Sequence, residues 1–214
     1  MSTLIFANGD LEPGAWLQPY LAQATRLIAA NGGSRHLYQL RQPPDMVIGD
    51  LDSLPTEVRD WLATAVIQFI SHPAEKDETD LELALLYAIQ FEQDISIVGA
   101  LGGRLDQTLA NILLLAHPAL QGRQVHLVEP YQKAWLVEGE AVINGRRGDT
   151  LSLIPLGGDT LIAQTVGLKW PLQDEILHFG PARGVSNMLV ADTAKVWVRH
   201  GRLLCIHTQQ TWQR

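Results

Sequence analysis

Cysteine is almost missing from this 214-residue chain: Cys205 stands alone, so no internal disulfide can form and no thiolate cluster can hold zinc. It lies within the apolar run Leu203-Leu204-Cys205-Ile206 and reads as core filler. Apolar runs approaching the roughly 20 residues of a membrane helix are absent, and the opening MSTLIFANGD has no basic segment leading an apolar one. A soluble, unsecreted protein of the reducing cytoplasm is the expectation. Basic residues are few. With 16 Lys and Arg against 23 Asp and Glu, the formal net charge of −7 argues against a broad nucleic-acid footprint. A phosphate-bearing ligand would have to be small and arrive with a cation. His72, His117 and His126 lack ligand spacing, so no metal role is expected of them.

Up to about residue 120, short apolar runs alternate with helical stretches. The runs are 4–7, 26–30, 46–48, 67–70 and 95–98; helical spacing is clearest in Leu81, Leu85, Ala88 and Ile89, and in Leu109, Ile112, Leu113 and Ala116. That alternation predicts an α/β domain with a mainly parallel sheet over residues 1–122. Beyond Gly122 the helices stop. Short strands are predicted at 125–128, 134–137, 150–154, 195–198 and 203–206, with hairpin or tight-turn signals at Asn144-Gly145, Gly157-Gly158 and His200-Gly201. Residues 123–214 are therefore predicted to form an all-β sandwich, its first strand a candidate to complete the α/β sheet.

Three acidic turns follow predicted strands. The run Met46-Val47-Ile48 ends on Gly49-Asp50-Leu51-Asp52-Ser53; the run 67–70 leads to Lys76-Asp77-Glu78-Thr79-Asp80; the run 95–98 leads to Gly102-Gly103-Arg104-Leu105-Asp106. Parallel strands bring such turns to one sheet edge, where α/β folds bind ligands, so Asp50, Asp52, Asp77, Asp80 and Asp106 are candidates to converge. A shared crevice of that charge calls for a divalent cation, and oxygen-only donors favour Mg²⁺. The alternative is structural: Thr79 and Glu82 have capping-box spacing, and acids are stabilised at helix N-termini. Capping does not account for Gly102-Gly103 before Arg104, a small turn beside a forked guanidinium suited to phosphate, or for Lys76 in the neighbouring turn.

Together with Asn8-Gly9, Asn31-Gly32-Gly33 and Gly184-Val185-Ser186-Asn187, these segments resemble, in order and spacing, the thiamine pyrophosphokinase (thiamine diphosphokinase) family. The resemblance implies a nucleotide-binding α/β catalytic domain, a β-sandwich that binds thiamine and dimerises, and a homodimer. It implies Mg-dependent transfer of pyrophosphate from ATP to the thiamine hydroxyl, releasing AMP. It gives Asp50, Asp52, Asp77, Asp80, Arg104 and Asp106 catalytic roles, with Asp50, Asp52 and Asp77 on the metal. Asn31, Gly32, Gly33, Lys76, Gly102, Gly103, Gln107, Ser186 and Asn187 would contact substrates, and Trp170 either stacks near thiamine or packs in the core. Two positions depart from the family: Asn31 and Gln107 stand where Asp and His are usual. They leave open a thiamine- or nucleotide-binding module with a decayed catalytic centre. A strand ending in D-x-D also fits a metal-dependent phosphatase, against which Gly49 and the missing D-x-D-G turn both count.

Overall fold

The computed structural model describes residues 2–51, 54–73 and 75–210. They fall into two compact units, 1–130 and 131–214.

The first unit runs β1 (Ser2–Phe6), α1 (Gln18–Gln23), β2 (Ala24–Ala30), α2 (Ser34–Leu40), β3 (Met46–Gly49), α3 (Thr56–Leu62), β4 (Gln68–Ser71), α4 (Asp80–Ala88), β5 (Asp94–Val98), α5 (Leu105–Leu114) and β6 (Gln124–Val128). All its strand pairs are parallel, in the order β6-β5-β1-β2-β3-β4. Strand β6 joins β5, so this unit extends past residue 122. Leu4, Ile5 and Phe6 of central β1 are all buried, as a parallel strand covered on both faces requires. Helix α4 buries Leu81, Ala84, Leu85 and Ala88, one stripe at helical spacing. Helix α5 departs from its apolar periodicity: Leu105, Leu109 and Leu113 are exposed, whereas Asn111 is buried and its Nδ2 donates to the Ala100 carbonyl at 2.7 Å. A polar anchor to the loop after β5 decides which face turns inward.

The strand order reverses between β1 and β5, the place where a parallel sheet usually opens a crevice. Here the two following loops are tied together by Ala7 N–H to Val98 O at 2.9 Å, Gly9 N–H to Gly99 O at 2.6 Å and Asp10 N–H to Leu101 O at 2.8 Å.

The second unit comprises β7 (Gln132–Val137), β8 (Glu140–Asn144), β9 (Thr150–Pro155), β10 (Thr160–Val166), β11 (Gln173–Leu177), β12 (Asn187–Met188), β13 (Thr193–His200) and β14 (Leu203–Thr208). Strands β12-β9-β14-β7 form one antiparallel layer and β11-β10-β13-β8 another. Leu151, Leu153, Leu203 and Cys205 from the first layer and Ile143, Ile162, Leu177 and Val196 from the second share one core, which makes the unit a sandwich. Asn144-Gly145, Gly157-Gly158 and His200-Gly201 close no hairpins. Each carries the chain from one layer to the other, and at Gly201 (φ +88°) a Cβ would meet the Asp159 carbonyl at 2.6 Å. Cys205 is fully buried, and burial pushes its thiol up to about 12.

Candidate active site

Strand β2 ends in a short 3-10 turn, Asn31–Gly33, that leads into α2. Asn31 adopts φ +42°, a left-handed conformation that asparagine tolerates better than most residues, and is 6% exposed. Its Nδ2 donates to Asp50 Oδ1 at 2.8 Å and to Asp80 Oδ2 at 2.9 Å. Asp50 follows β3 directly. Asp80 opens α4, whose N-cap Thr79 accepts from the Glu82 N–H through Oγ1 at 3.1 Å, as the capping-box spacing predicts. The other oxygen of Asp80 takes Lys76 Nζ at 2.7 Å. Three neighbouring turns thus feed one polar chain, Lys76 to Asp80 to Asn31 to Asp50. The ammonium and the amide donors offset the repulsion between the two carboxylates.

The glycines make room for this. A Cβ on Gly49 (φ +148°) would lie 2.6 Å from Asn31 Cβ and 3.2 Å from Asp80 Cγ. Gly32 and Gly33 are close-packing positions rather than an open cradle: a Cβ would collide with Asn8 Oδ1 and with the Phe6 carbonyl, respectively.

The remaining candidates lie in different surroundings. Asp52 and Ser53 are outside the described residues, and Asp77 is exposed. Arg104 and Asp106 are exposed and bind each other, Nε to Oδ1 at 3.1 Å, while Asp106 also accepts the Gln107 N–H at 2.9 Å. The Arg104 guanidinium, with that N–H, holds Asp106 below the usual carboxylate range. Gly103 N–H donates to Asp10 Oδ2 at 3.1 Å, so the Gly102-Gly103 turn is docked on the loop after β1. Among the described residues no group of three or more His, Cys, Asp and Glu side chains could hold a metal. The donors the site does offer, Asp50 and Asp80, are hard oxygens without nitrogen or sulfur ligands beside them, a set that fits Mg²⁺ completed by phosphate oxygens and water.

Reading by sequence passed over two groups at this edge. Arg35 Nη2 donates to the carbonyls of Asn8 at 2.9 Å and Gly9 at 2.7 Å, and His36 Nε2 lies 3.0 Å from the Gly9 oxygen; burial, then Arg35, pushes His36 down. Glu129, the first residue beyond β6, is pushed up to about 7 by burial and then by the charge of Asp10. Its position just past a parallel strand is the signal that would have found it.

In the second unit, Asn187 is buried, and its amide is spent on the backbone around Trp170. Nδ2 donates to Trp170 O at 2.6 Å, and Oδ1 accepts the N–H groups of Trp170 at 3.1 Å and Met188 at 2.9 Å. Ser186 (φ +60°) donates its N–H to Ser152 Oγ at 3.1 Å. Trp170 is 52% exposed, not core, and Lys169 Nζ stands 4.7 Å from its ring centroid. An open pocket of about 510 Å³ adjoins, with Arg147, Lys169, Met188, Val190 and Gln210 in its lining.

Residues 17–127 match the model of the thiamin pyrophosphokinase catalytic domain, and residues 140–203 that of the thiamin pyrophosphokinase vitamin B1 binding domain. Thiamine pyrophosphokinase of Bacillus subtilis is 29% identical over 195 residues, covering 90% of this chain and 91% of that protein. The crystal structure of thiamine pyrophosphokinase from Bacillus subtilis superposes with a TM-score of 0.88 at 27% identity, over 98% of this chain and all of that one. That of a thiamin pyrophosphokinase family protein from Enterococcus faecalis gives 0.84 at 25% identity, over 98% and 99%.

Proposed function

The chain belongs to the thiamin pyrophosphokinase family, and from that premise we propose that Asp50, Asp80, Asn31 and Lys76 form the reaction centre of a thiamine diphosphokinase using ATP and Mg²⁺. The enzyme transfers a pyrophosphoryl unit to the hydroxyl of thiamine. The alcohol oxygen bonds to the β-phosphorus of ATP, the bond from that phosphorus to the α,β-bridging oxygen breaks, and AMP leaves with the electron pair. The observation that carries the assignment is the polar chain from Lys76 to Asp50, the place where three turns of the catalytic half deliver chemistry-bearing side chains to one point.

Asp50 and Asp80, with Asp52 and Asp77 assigned from sequence, supply hard oxygen donors for the cation. These carboxylates would hold Mg²⁺, which would supply neutralisation of the phosphate charge. One carboxylate of the group accepts the proton of the thiamine hydroxyl. Arg104, exposed beside the Gly102-Gly103 turn, exchanges Asp106 for a phosphate oxygen when the nucleotide binds. Gln107 follows on the first turn of α5 and contacts the nucleotide as a neutral donor and acceptor.

The second unit takes thiamine, with Ser186 and the exposed ring of Trp170 beside it, and Asn187 fixes the backbone of Trp170. A homodimer is favoured by the apolar side chains left exposed: Leu105, Leu109 and Leu113 on α5, and Phe179, Val185, Met188 and Val190 in the sandwich. No helix among the described residues is long and apolar enough to cross a membrane, and the chain's one thiol is buried; we place the enzyme in the cytoplasm.

Incubation with ATP, Mg²⁺ and thiamine tests the reading. Thiamine diphosphate and AMP are expected in equal amounts. ADP with thiamine monophosphate would overturn pyrophosphoryl transfer, and tight thiamine binding without any product would favour the decayed module.

A further inference from the structure

The Gly102-Gly103 turn is gripped by a residue from another loop. Asp10, in the loop after β1, donates its N–H to Leu101 O at 2.8 Å and accepts the Gly103 N–H through Oδ2 at 3.1 Å. The two bonds run in opposite directions on either side of Gly102, so the turn is held at two points. Gly102 (φ +84°) lies directly against the acid, and a Cβ there would collide with the Asp10 carboxylate. Glu129, at the end of β6, is pushed up by burial and then by the charge of Asp10, which places that carboxylate across the exit of β5.

Asp10 is itself held. Arg35 Nη2, on α2, donates to the carbonyls of Asn8 at 2.9 Å and Gly9 at 2.7 Å, and the Gly9 N–H donates to Gly99 O at 2.6 Å. The loop after β1 is thus pinned from both α2 and the loop after β5, and the glycine turn follows it. Immediately after the turn, Arg104 is the N-cap residue of α5, and the Thr108 hydroxyl donates to the Gly102 carbonyl at 3.1 Å. The Arg104 side chain is exposed, so the backbone it leaves decides where the guanidinium stands.

Resting on the functional reading above, we propose that Asp10 is a positioning residue: it holds the backbone from which Arg104 projects, and it acts on the reaction through that guanidinium without touching substrate. A negative charge beside a phosphate-binding turn repels the polyphosphate. What the position requires is an acceptor for the Gly103 N–H, and a neutral one would serve.

The test is a double-mutant cycle of Asp10→Ala and Arg104→Ala, with Asp10→Asn beside it. It is read on kcat/KM for ATP in thiamine diphosphate formation and on the Kd of α,β-methylene-ATP with Mg²⁺. Asp10→Ala is expected to lower kcat/KM for ATP and weaken binding of the analogue, each roughly tenfold, with KM for thiamine unchanged. Asp10→Asn keeps an acceptor oxygen and is expected to stay within about twofold of wild type in both. Once Arg104 is alanine, Asp10→Ala should add less than about twofold.

Additive losses in the cycle would overturn the proposal, as would an Asp10→Asn protein as impaired as Asp10→Ala or an Asp10→Ala protein equal to wild type. If Asp10→Ala does not fold, Asp10→Asn and hydrogen exchange of the wild-type Gly103 amide still decide. That amide is expected to exchange at least about tenfold more slowly than an unprotected one, and an unprotected rate would overturn the proposal without any variant. A wild type that makes no thiamine diphosphate would remove the functional reading and leave the Kd cycle to decide the role of Asp10. An active wild type with an additive cycle would remove only that role.

Discussion

Two carboxylate centres in this protein solve the same electrostatic problem in opposite ways. In the sandwich, Asp149 is 3% exposed; it accepts the N–H groups of Arg146 at 2.8 Å and Gln210 at 2.9 Å, and His207 Nε2 lies 2.9 Å away. Burial alone would raise Asp149, but the Gln210 and Arg146 N–H groups and His207 outweigh it and hold the acid low. Two of its three donors are backbone, so the carboxylate joins the turn after β8 to the end of β14. At the parallel sheet the acids meet side-chain donors, Asn31 and Lys76. A carboxylate tied to backbone fixes the fold, whereas one tied to side chains has no backbone turn to hold and remains available for chemistry.

The sharpest way to break this contrast is to neutralise one acid in each centre. Asp50→Asn should lower kcat for thiamine diphosphate formation on the order of 10²–10³-fold, about 3–4 kcal/mol, with Tm changed by only a few degrees. Steady-state kinetics beside a thermal melt checks this, and a variant that loses its fold would make Asp50 structural. Asp149→Ala should do the reverse. Orphaning two buried N–H groups and the His207 ring costs about 3 kcal/mol in urea unfolding, while the folded fraction keeps its kcat.

The smallest expected effect lies in pH. Glu129 has a folded value of about 7 against an ordinary 4.5, so the folded state holds the proton longer than the unfolded chain. Its neutral form therefore contributes fully below pH 4.5, and that contribution is lost as pH rises toward about 7. Glu129→Gln should flatten this slope and stabilise the protein at pH 8 by about 1–2 kcal/mol, a figure reduced from the full shift because the carboxyl retains contact with water. Asp149 moves in the other direction, losing its contribution as pH falls through its lowered native value. An identical acid limb in Asp149→Ala and wild type would count against that assignment.

Much of the architecture was legible because it depends on short-range pattern. The apolar run 46–48 ending on Gly49-Asp50 marked a strand and its exit, and Thr79 with Glu82 marked the start of α4. What escaped depends on tertiary choice. Asn144-Gly145 and His200-Gly201 announce turns, but the dipeptide does not tell whether the flanking strands pair with each other or lie in different layers. Strand β11, Gln173–Leu177, is largely polar and pairs only at the layer's edge, so it gives no apolar alternation. The periodicity of α5 identifies an apolar face without saying what covers it, and Asn111 turns that face outward. At the site, the acids were visible as motifs, but the bridge was not. An asparagine at 31 reads as a turn residue until β2, β3 and α4 are side by side.

The single thiol has a practical consequence. Only a thiolate attacks an alkylating reagent, and burial pushes the Cys205 thiol up to about 12 and encloses it among side chains. Alkylation therefore waits for the β14 layer to open, and no other sulfhydryl competes for the reagent. The chain carries its own clock for sandwich opening, and slowing of that clock by thiamine would report occupancy of the second unit without any added label.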